Sequence, residues 1–280
     1  MSIMPAPDRY AVIGHPIAHS RSPQIHALFA QQTHQHMMYS AIDVAPEDLA
    51  PCVREFFAAG GCGLNVTVPH KETVLALTGR LSPRARIAGA ANTIVKEAGG
   101  RLMADNTDGA GLVRDLTHNL RIAVNARRVL LLGAGGAARG VLAPLLGLMP
   151  RELVIANRGV ERAQGLANTF ASLGPVSATG YAELDGAGFD LIVNATAASL
   201  HSQLPPLPAC VLGPTTICYD LVYANADTCF TRWAREHGAA QAHMGLGMLV
   251  EQAAESFSLW RGVRPDTASV LSLLRQHSPP

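Results

Sequence analysis

The chain has 280 residues, a formal net charge of +1, and 48% hydrophobic against 15% charged residues. This composition is typical of a globular protein with a large buried core, and it excludes a disordered chain. The length predicts two domains rather than one. The small net charge creates no overall field that would attract nucleic acid or an anionic membrane.

The cysteines indicate a reducing compartment. There are five of them, an odd number, and no CxxC occurs; we therefore expect buried thiols rather than a disulfide framework. The N-terminus has no basic segment followed by an apolar run, so we predict no signal peptide. The most apolar region, residues 129–149, is interrupted by glycines and Arg139 and does not read as a membrane span. We expect a cytoplasmic protein.

Strand and helix patterns alternate from the N-terminus. YAVI (10–13) and SAIDV (40–44) read as strands, each followed by a helix pattern, and Ser22 is the expected N-cap of the first helix. LNVTV (64–68) is a third strand in which polar and apolar residues alternate. After Pro69 we expect a helix start, which places Lys71 in a first turn where the helix macrodipole disfavours a cation.

A second alternating series begins near residue 127. RVLLLG, ELVIAN, FDLIVNAT and TTICYDLV read as strands, with helix patterns between them. A long helix pattern closes the chain, and the join near residues 105–112 reads as a helix start. Alternating strands and helices predict an α/β fold with parallel, doubly wound sheets.

A glycine-rich turn lies between a predicted strand and a predicted helix at VLLLGAGGAARG (129–140). Gly133, Gly135 and Ala138 fit the G-x-G-x-x-G/A pattern in its expected context. Glycine lets the backbone approach a pyrophosphate, and the free N–H groups of the helix start bind the anion. We predict a dinucleotide site here; the alternative is a glycine-rich turn that binds nothing.

The next strand indicates which dinucleotide binds. An NAD site usually ends this strand with an acidic residue that holds the ribose hydroxyls. Here the strand ends with Asn157 and Arg158, and Arg162 follows one turn later. Since a guanidinium binds a 2′-phosphate and a carboxylate would repel it, we predict NADP. The alternative is that Arg158 is a solvated loop charge.

The remaining polar candidates lie far apart in the sequence. Lys71 alone would more often be a surface lysine, and Asp108 in DNTDG could be a simple N-cap or turn residue. Together with the neutral side chains of Asn65, Thr67 and Asn92, the two would suit a polyol substrate. Spacing alone does not show that these residues meet.

Seven short motifs supply the missing step, and they occur in a characteristic order: SRSP (20–23), NVTVPHK (65–71), AANT (90–93), DNTDG (105–109), GAGGAARG (133–140), NR (157–158) and GLGMLVEQA (245–253). Together they resemble the shikimate dehydrogenase family from about residue 10 to residue 265. The resemblance implies an N-terminal α/β substrate domain (1–107, completed by 246–280) and a Rossmann-type doubly wound NADP-binding domain (108–245). It also implies C-terminal helices that return to the first domain, and NADP-dependent reduction of 3-dehydroshikimate to shikimate in aromatic amino acid biosynthesis.

Carried over motif by motif, the resemblance implies a role for each matching residue. Lys71 and Asp108 would be the catalytic pair. The substrate would be held by Ser20, Ser22, Asn65, Thr67, Asn92, Tyr223 and Gln252. NADP would be held by Gly133, Ala134, Gly135, Gly136, Ala137, Asn157, Arg158 and Arg162, with Leu221, Gly245 and Met248 near the nicotinamide.

The sequence departs from the family pattern at three places. Gly159 stands where threonine is common, Met244 stands where aspartate commonly precedes GLGML, and NATAASLHSQLP lacks the usual serine-glycine after NAT.

Two other functions stay open: a quinate/shikimate dehydrogenase that uses NAD, and a non-catalytic NADP-binding sensor. His34 and His36 have no acidic or cysteine partner nearby in the sequence, so we predict no metal site. We expect a monomer or homodimer whose partners are small molecules, not nucleic acid or membrane.

Overall fold

The computed structural model describes residues 6–184, 186 and 188–276. Two compact units divide the chain: the first runs to Asp108 and includes Val250–Leu273, and the second contains Gly109–Leu249 and the residues from Leu274 onward. No helix in the described part of the chain combines the length and the apolar character needed to cross a bilayer.

The first unit is built on a mixed six-stranded sheet. Its strands are β1 (Asp8–Gly14), β2 (Met37–Asp43), β3 (Gly61–Val66), β4 (Arg80–Leu81), β5 (Thr93–Lys96) and β6 (Leu102–Asp105), in the order β2-β1-β3-β5-β6-β4. β5 runs antiparallel to both of its neighbours, β3 and β6. The prediction of a purely parallel sheet is therefore wrong for this unit, because two short strands that the sequence pattern missed add antiparallel pairing.

Three helices of the N-terminal segment pack with this sheet: α1 (Ser22–Gln32), α2 (Leu49–Ala58) and α3 (Pro83–Ala88). Leu64 and Val66 of β3 share a buried cluster with Val53 and Phe56 of α2. Arg21 occupies the N-cap position of α1, so the prediction of Ser22 as N-cap is wrong by one residue. A 3₁₀ helix at Pro46–Asp48 leads into α2.

The second unit contains a parallel sheet with helices on both faces. Its strands are β7 (Arg128–Leu132), β8 (Glu152–Ala156), β9 (Val176–Thr179), β10 (Phe189–Asn194), β11 (Leu212–Asp220) and β12 (Gln241–Met244), in the order β12-β11-β10-β7-β8-β9. Every adjacent pair is parallel. Along β7, Val129 and Leu131 face one buried cluster, while Leu130 and Leu132 face the other. The predicted doubly wound sheet is confirmed here.

The remaining helices are α4 (Asp108–Arg114), α5 (Gly136–Leu146), α6 (Val160–Phe170), α7 (Cys229–Glu236), α8 (Leu246–Arg261) and α9 (Thr267–Gln276). The predicted helix start near residues 105–112 is confirmed by α4, which continues as a π-helical turn at Asp115–Asn119. Short 3₁₀ helices occur at Thr73–Leu77, Ala171–Leu173, Tyr181–Glu183, Ala198–His201 and Ala209–Val211. All five cysteines are free thiols, but of the five only Cys218 is buried, so the expectation of buried thiols is wrong for the other four.

An ion pair between half-buried Arg84 and buried Asp105 lies at the end of β6. The guanidinium of Arg84 donates to both carboxylate oxygens of Asp105, at 3.0 and 2.8 Å, and to Glu255 at 2.8 Å. Burial would raise the pKa of Asp105, but the hydrogen bonds from Arg84 and Ser82 outweigh burial and hold that pKa below its ordinary value of 3.8. Asp105 is therefore a charged group that stabilises the folded first unit.

We expect Asp105→Asn to lower the free energy of unfolding at pH 7 by about 2 kcal/mol. The loss is smaller than for a fully buried ion pair, because the Arg84 side chain is 37% exposed. The folded-state pKa of Asp105 is depressed, so its contribution is present above pH 4 and is lost as the pH falls through the folded value. The variant should show a shallower loss of stability below pH 4. Urea unfolding midpoints between pH 7 and pH 3 measure this.

The matched control is Asp48→Asn, which removes an exposed carboxylate from the same unit. It should leave both the midpoint at pH 7 and the acid slope close to those of the parent chain. Equal acid slopes for Asp105→Asn and the parent would contradict the assignment of this carboxylate.

Candidate active site

The chain makes a compact corner directly after β3. The backbone N–H of Thr67 donates to Ile13 at 2.9 Å, and that of His15 donates to the carbonyl of Val68 at 3.0 Å. A Cβ on Gly14 would overlap the methyl group of Thr67. The ends of β1 and β3 are therefore held side by side, with Thr67 half-buried just beyond the strand.

Lys71 lies in a turn of this corner rather than in a helix. The strand ends at Val66, and the next helical segment is the 3₁₀ helix that begins at Thr73. The prediction of a helix start around Lys71 is therefore wrong, and so is the helix-dipole argument drawn from it. The carbonyl of Lys71 accepts a hydrogen bond from the backbone of Ala91 at 2.7 Å, which ties the turn to the AANT segment.

Lys71 and Asp108 form an ion pair. Lys71 Nζ donates to Asp108 Oδ2 at 2.6 Å, and the two side chains are only 13% and 6% exposed. Asp108 is the first residue of α4, where a carboxylate is favoured by the helix macrodipole. The side chain of Asn106 also accepts from the backbone of Asp108 at 3.1 Å. The sequence singled out both residues, and the structure brings them together.

Asn92 links this pair to α8. Its amide nitrogen donates to Asp108 Oδ1 at 2.9 Å, to Gln252 Oε1 at 3.0 Å and to the Thr107 hydroxyl at 2.8 Å. Its carbonyl oxygen accepts from the backbone N–H of Thr107 at 2.8 Å, which fixes the orientation of the amide. Lys71, Asp108, Asn92 and Gln252 therefore belong to one hydrogen-bonded network within the first unit.

Asn65 lies beneath this network and is 6% exposed. Its amide nitrogen donates to Thr93 at 3.1 Å and to Ser256 at 3.0 Å, and its carbonyl accepts from the Tyr39 hydroxyl at 2.7 Å. Tyr39 stacks on the ring of His26, with ring centres 4.1 Å apart. Burial lowers the pKa of His26 to about 3, against an opposing contact with Asn65, so this imidazole is neutral.

The SRSP turn contributes Ser20 and Ser22. Ser20 is half-buried, and its hydroxyl accepts from the backbone N–H of Ser22 at 3.3 Å. Ser22 is buried as the first residue of α1. Close by, the carboxylate of Asp43 accepts from His15 at 2.5 Å and from the backbone of Ile17 at 3.2 Å, which fixes the segment leading into the turn.

The glycine-rich turn of the second unit has the geometry of an anion site. Gly133 has a φ of +102°, and a Cβ there would lie 3.2 Å from Thr196, so the position favours glycine. Gly135 is the N-cap of α5, and a Cβ on it would meet no atom within 4 Å. The first turn of α5, which begins at Gly136, leaves backbone N–H groups without partners inside the helix, as an anion site requires.

The end of β8 carries the predicted phosphate contacts. Arg158 and Arg162 are exposed, the first after the strand and the second in the first turn of α6. Asn157 donates to the carbonyl of Gly159 at 2.9 Å, which closes the turn between them. The burial of Tyr181 raises its pKa to about 12, and the positive charge of Arg158 opposes that rise. Arg158 is therefore close to this phenol.

A buried carboxylate organises the ends of β10 and β11. Asp220 accepts from Asn194 at 3.1 Å, from Ser199 at 2.6 Å, from Thr228 at 2.7 Å and from the backbone of Val222 at 3.1 Å. Burial raises the pKa of Asp220, and these hydrogen bonds oppose the rise. Ser199 belongs to the atypical NATAASLHSQLP segment, so the departure from the family pattern still leaves that segment hydrogen-bonded to the sheet.

Leu221 and Tyr223 follow β11, and both are half-buried. The backbone N–H of Gly245 donates to Val222 at 3.1 Å, and a Cβ on Gly245 would overlap the carbonyl of Leu221. Met248, in the first turn of α8, is 7% exposed and packs in the core of the second unit. The second unit therefore brings Leu221, Gly245 and Met248 into one region.

Sequence reasoning missed several contributors, among them Thr107 and Ser256. Thr107 lies inside the DNTDG motif but was passed over for its neighbour Asp108, although it contacts both Asn92 and Gln252. Ser256 donates to the carbonyl of Gln252, four residues earlier on α8, and also contacts Asn65. The sequence contained a signal for Ser256, since it lies four residues after Gln252 and residues four apart lie on the same face of a helix.

One α/β unit carries a glycine turn suited to an anion, and the other carries a buried lysine–aspartate pair. This combination is typical of nucleotide-dependent dehydrogenases. Family models agree. The shikimate dehydrogenase substrate binding domain matches residues 12–94, shikimate / quinate 5-dehydrogenase matches residues 115–202, and the shikimate 5'-dehydrogenase C-terminal domain matches residues 245–275.

Individual relatives match over nearly the whole length. The shikimate dehydrogenase (NADP(+)) of Alkalilimnicola ehrlichii is 57% identical over 96% of this chain and 98% of its own. The crystal structure of an Ael1 enzyme from Pseudomonas putida is 49% identical, with a TM-score of 0.88 over 98% of this chain and 99% of that one. A shikimate 5-dehydrogenase from Thermus thermophilus, in complex with NADP(H) and shikimate, is 35% identical, with a TM-score of 0.85 over 96% and 99% of the two chains.

The chain belongs to the shikimate dehydrogenase family. The resemblance and the fold class predicted from the sequence are both confirmed.

Proposed function

We propose that this protein reduces 3-dehydroshikimate to shikimate, reversibly, with NADPH as the reductant. The observation that supports this most directly is the network of Lys71, Asp108, Asn92 and Gln252, in a chain whose relatives are named shikimate dehydrogenases. It combines one cation, one carboxylate and two neutral amides, which suits the hydroxyl groups of a substrate next to its reacting carbonyl.

The first unit (with its boundary near residue 108) is the substrate domain. Ser20 and Ser22 bind the substrate carboxylate with hydroxyl and backbone donors from the SRSP turn. Thr67, Asn92 and Gln252 bind its hydroxyls, with Asn65 beside them. Tyr223, a residue of the second unit, is a further substrate residue implied by the resemblance. Asn92 is held by Thr107, so its amide is already oriented before substrate arrives.

Lys71 is the acid/base and Asp108 orients it. In the reducing direction, the Lys71 ammonium donates a proton to the carbonyl oxygen as that oxygen gains alkoxide character. The 2.6 Å bond to Asp108 fixes Nζ in position, and Asn92 holds the second oxygen of the same carboxylate. In the oxidising direction, the neutral amine of Lys71 accepts the proton of the alcohol.

The second unit is the NADP domain, and its residues fit that cofactor. NADPH, when bound, supplies the hydride. The segment Gly133–Ala137 has open space at Gly135 and a helix start behind it, as a pyrophosphate requires. Asn157, Arg158 and Arg162 bind the 2′-phosphate. Leu221, Gly245 and Met248 contact the nicotinamide half. Gly159 lacks the threonine hydroxyl that is common in the family, which leaves the arginines as the main 2′-phosphate contacts.

The five free thiols support a cytoplasmic location, and the small net charge supports a protein whose partners are small molecules. A monomer or a homodimer suits the proposal equally.

The two competing functions differ in testable ways. A quinate/shikimate dehydrogenase that uses NAD would not need Arg158, and a sensor would bind NADP without turnover.

Initial rates with shikimate and quinate, each with NADP+ and NAD+, test the proposal directly. We expect the highest kcat/KM for shikimate with NADP+, and at least about tenfold less for each other pair. Comparable rates with quinate and NAD+ would favour the broader enzyme. NADPH binding without turnover of either substrate would favour the sensor.

A further inference from the structure

A buried carboxylate of the second unit lies outside the proposed reaction. Asp115, in the π-helical turn after α4, is 2% exposed. It accepts from the Tyr219 hydroxyl at 2.5 Å and from the side chain of Asn119 at 2.9 Å. Tyr219, on β11, is fully buried. A carboxylate taken out of water is costly unless hydrogen bonds hold it, and these two donors compensate the burial of Asp115.

The same tyrosine reaches the start of α8. Its oxygen is hydrogen-bonded to the backbone of Met248, in the first turn of that helix. Burial and the neighbouring Asp115 raise the pKa of Tyr219 well above its ordinary value, so the phenol keeps its proton and donates it to Asp115. The contact with Met248 therefore uses the backbone N–H as donor and the phenol oxygen as acceptor.

Asp115 also lies against the backbone of α8. A Cβ on Gly247 would overlap its carboxylate oxygens, so glycine is the residue that allows this approach. A carboxylate at the first turn of a helix is favoured by the free N–H groups and the macrodipole. Two buried side chains, on β11 and on the π-helical turn, thus contact the backbone of α8 at Gly247 and Met248, in the segment that follows Gly245.

We infer that Asp115 and Tyr219 are positioning residues for the cofactor's nicotinamide half, acting through the backbone of Gly245–Met248. The inference rests on the proposed function, which places this segment beside the nicotinamide. The phosphate contacts of the glycine turn and of Arg158 come from other elements. A defect at Asp115 or Tyr219 should therefore act on the nicotinamide half and spare the adenosine half.

The test variant is Tyr219→Phe, which removes the hydroxyl that joins Asp115 to Met248. We expect kcat to fall by about 10- to 100-fold, since a displacement of about 1 Å at a reacting group has this effect. The change in NADPH fluorescence on binding, which reports the surroundings of the nicotinamide, should shrink. The dissociation constant of 2′,5′-ADP, which lacks the nicotinamide half, should stay within about twofold.

Thr117→Val is the matched control. It removes a hydroxyl from the same π-helical turn, where Thr117 donates to the carbonyl of Val113. It should leave kcat and NADPH fluorescence unchanged. Gly247→Ala is the second variant if Tyr219→Phe does not fold, since its methyl group displaces the same contact from the opposite side. It should show the same split between NADPH and 2′,5′-ADP.

Two outcomes overturn the inference: unchanged kcat and NADPH fluorescence in folded Tyr219→Phe, or an equal loss of affinity for NADPH and 2′,5′-ADP. The second outcome would indicate a structural role for the whole unit. Failure of the proposed function can be distinguished from failure of this inference, because it is observed in the parent chain without any substitution. A parent chain that binds no NADPH rejects that function and this inference together, whereas a parent chain that binds NADPH leaves the variants to decide.

Discussion

Replacement of Lys71 by methionine should lower kcat for shikimate oxidation by about 100- to 10,000-fold, the range that general acid–base catalysis contributes. Methionine keeps most of the side-chain volume but offers no proton and no cation to Asp108. The KM for shikimate should change only a few-fold, because the carboxylate and hydroxyl contacts of the substrate come from other residues. Steady-state rates with NADP+ at saturating concentration measure this.

Lys96→Met is a well-matched control, because Lys96 is the one other lysine in the sequence. Lys96 is exposed at the end of β5, and Lys96→Met should retain full activity. NADPH binding to Lys71→Met should match that of the parent chain, which separates a chemical defect from misfolding. A kcat within tenfold of the parent would reject Lys71 as the acid/base.

Replacement of Arg158 by alanine should lower the ratio of kcat/KM for NADP+ over NAD+ by about 10- to 100-fold. Charge-assisted hydrogen bonds of this kind contribute about 1.5–3 kcal/mol, and each 1.4 kcal/mol corresponds to a factor of ten. The loss should fall on NADP+ alone, because NAD+ has no 2′-phosphate to meet the guanidinium. Parallel titrations of the two cofactors at fixed shikimate measure the ratio.

Arg151→Ala serves as the comparison, since it removes an exposed arginine just before β8 rather than after it. Its cofactor ratio should equal that of the parent chain. If Arg158→Ala also leaves the ratio unchanged, Arg158 is only a solvated loop charge, and the preference for NADP must come from elsewhere.

Some local features of this protein could be predicted from its sequence. The glycine-rich turn of residues 133–137 depends on a strand, a few glycines and a helix that are contiguous in the chain, and the structure has all three. The apolar run Val129–Leu132 likewise predicted a strand, and the structure places its side chains alternately in two cores. Such features follow from periodicity and turn chemistry over a dozen residues.

The meeting of Lys71 with Asp108 could not be predicted from spacing, because it depends on strand pairing between distant segments. Thr93 of β5 pairs with Asn65 of β3 on one side and with Asp105 of β6 on the other. The ends of β3 and β6 therefore flank the start of β5. β5 and β6 have only four residues each, too few for a clear periodic pattern, so only the motif order indicated that the pair would meet.

The turn that holds Lys71 shows a different limit of sequence reasoning. Pro69 suits a helix start, and the residues after it gave no local sign against one. The structure instead places Lys71 in a turn whose carbonyl pairs with Ala91, a contact twenty residues away. Tertiary hydrogen bonding, rather than local propensity, decides the conformation at this position.

Because the sequence contains only two lysines, the Lys71–Asp108 ion pair can be observed by NMR spectroscopy. Because Lys71 and Lys96 are the only lysines, a chain grown on lysine carrying ¹³C at Cε should give two side-chain resonances, and Lys96→Met identifies each by subtraction. One reports an amine on the surface, and the other reports an amine 2.6 Å from Asp108. The second resonance can therefore be followed through binding of substrate and cofactor, so that the proton held by Lys71 is observed at each stage in the intact protein.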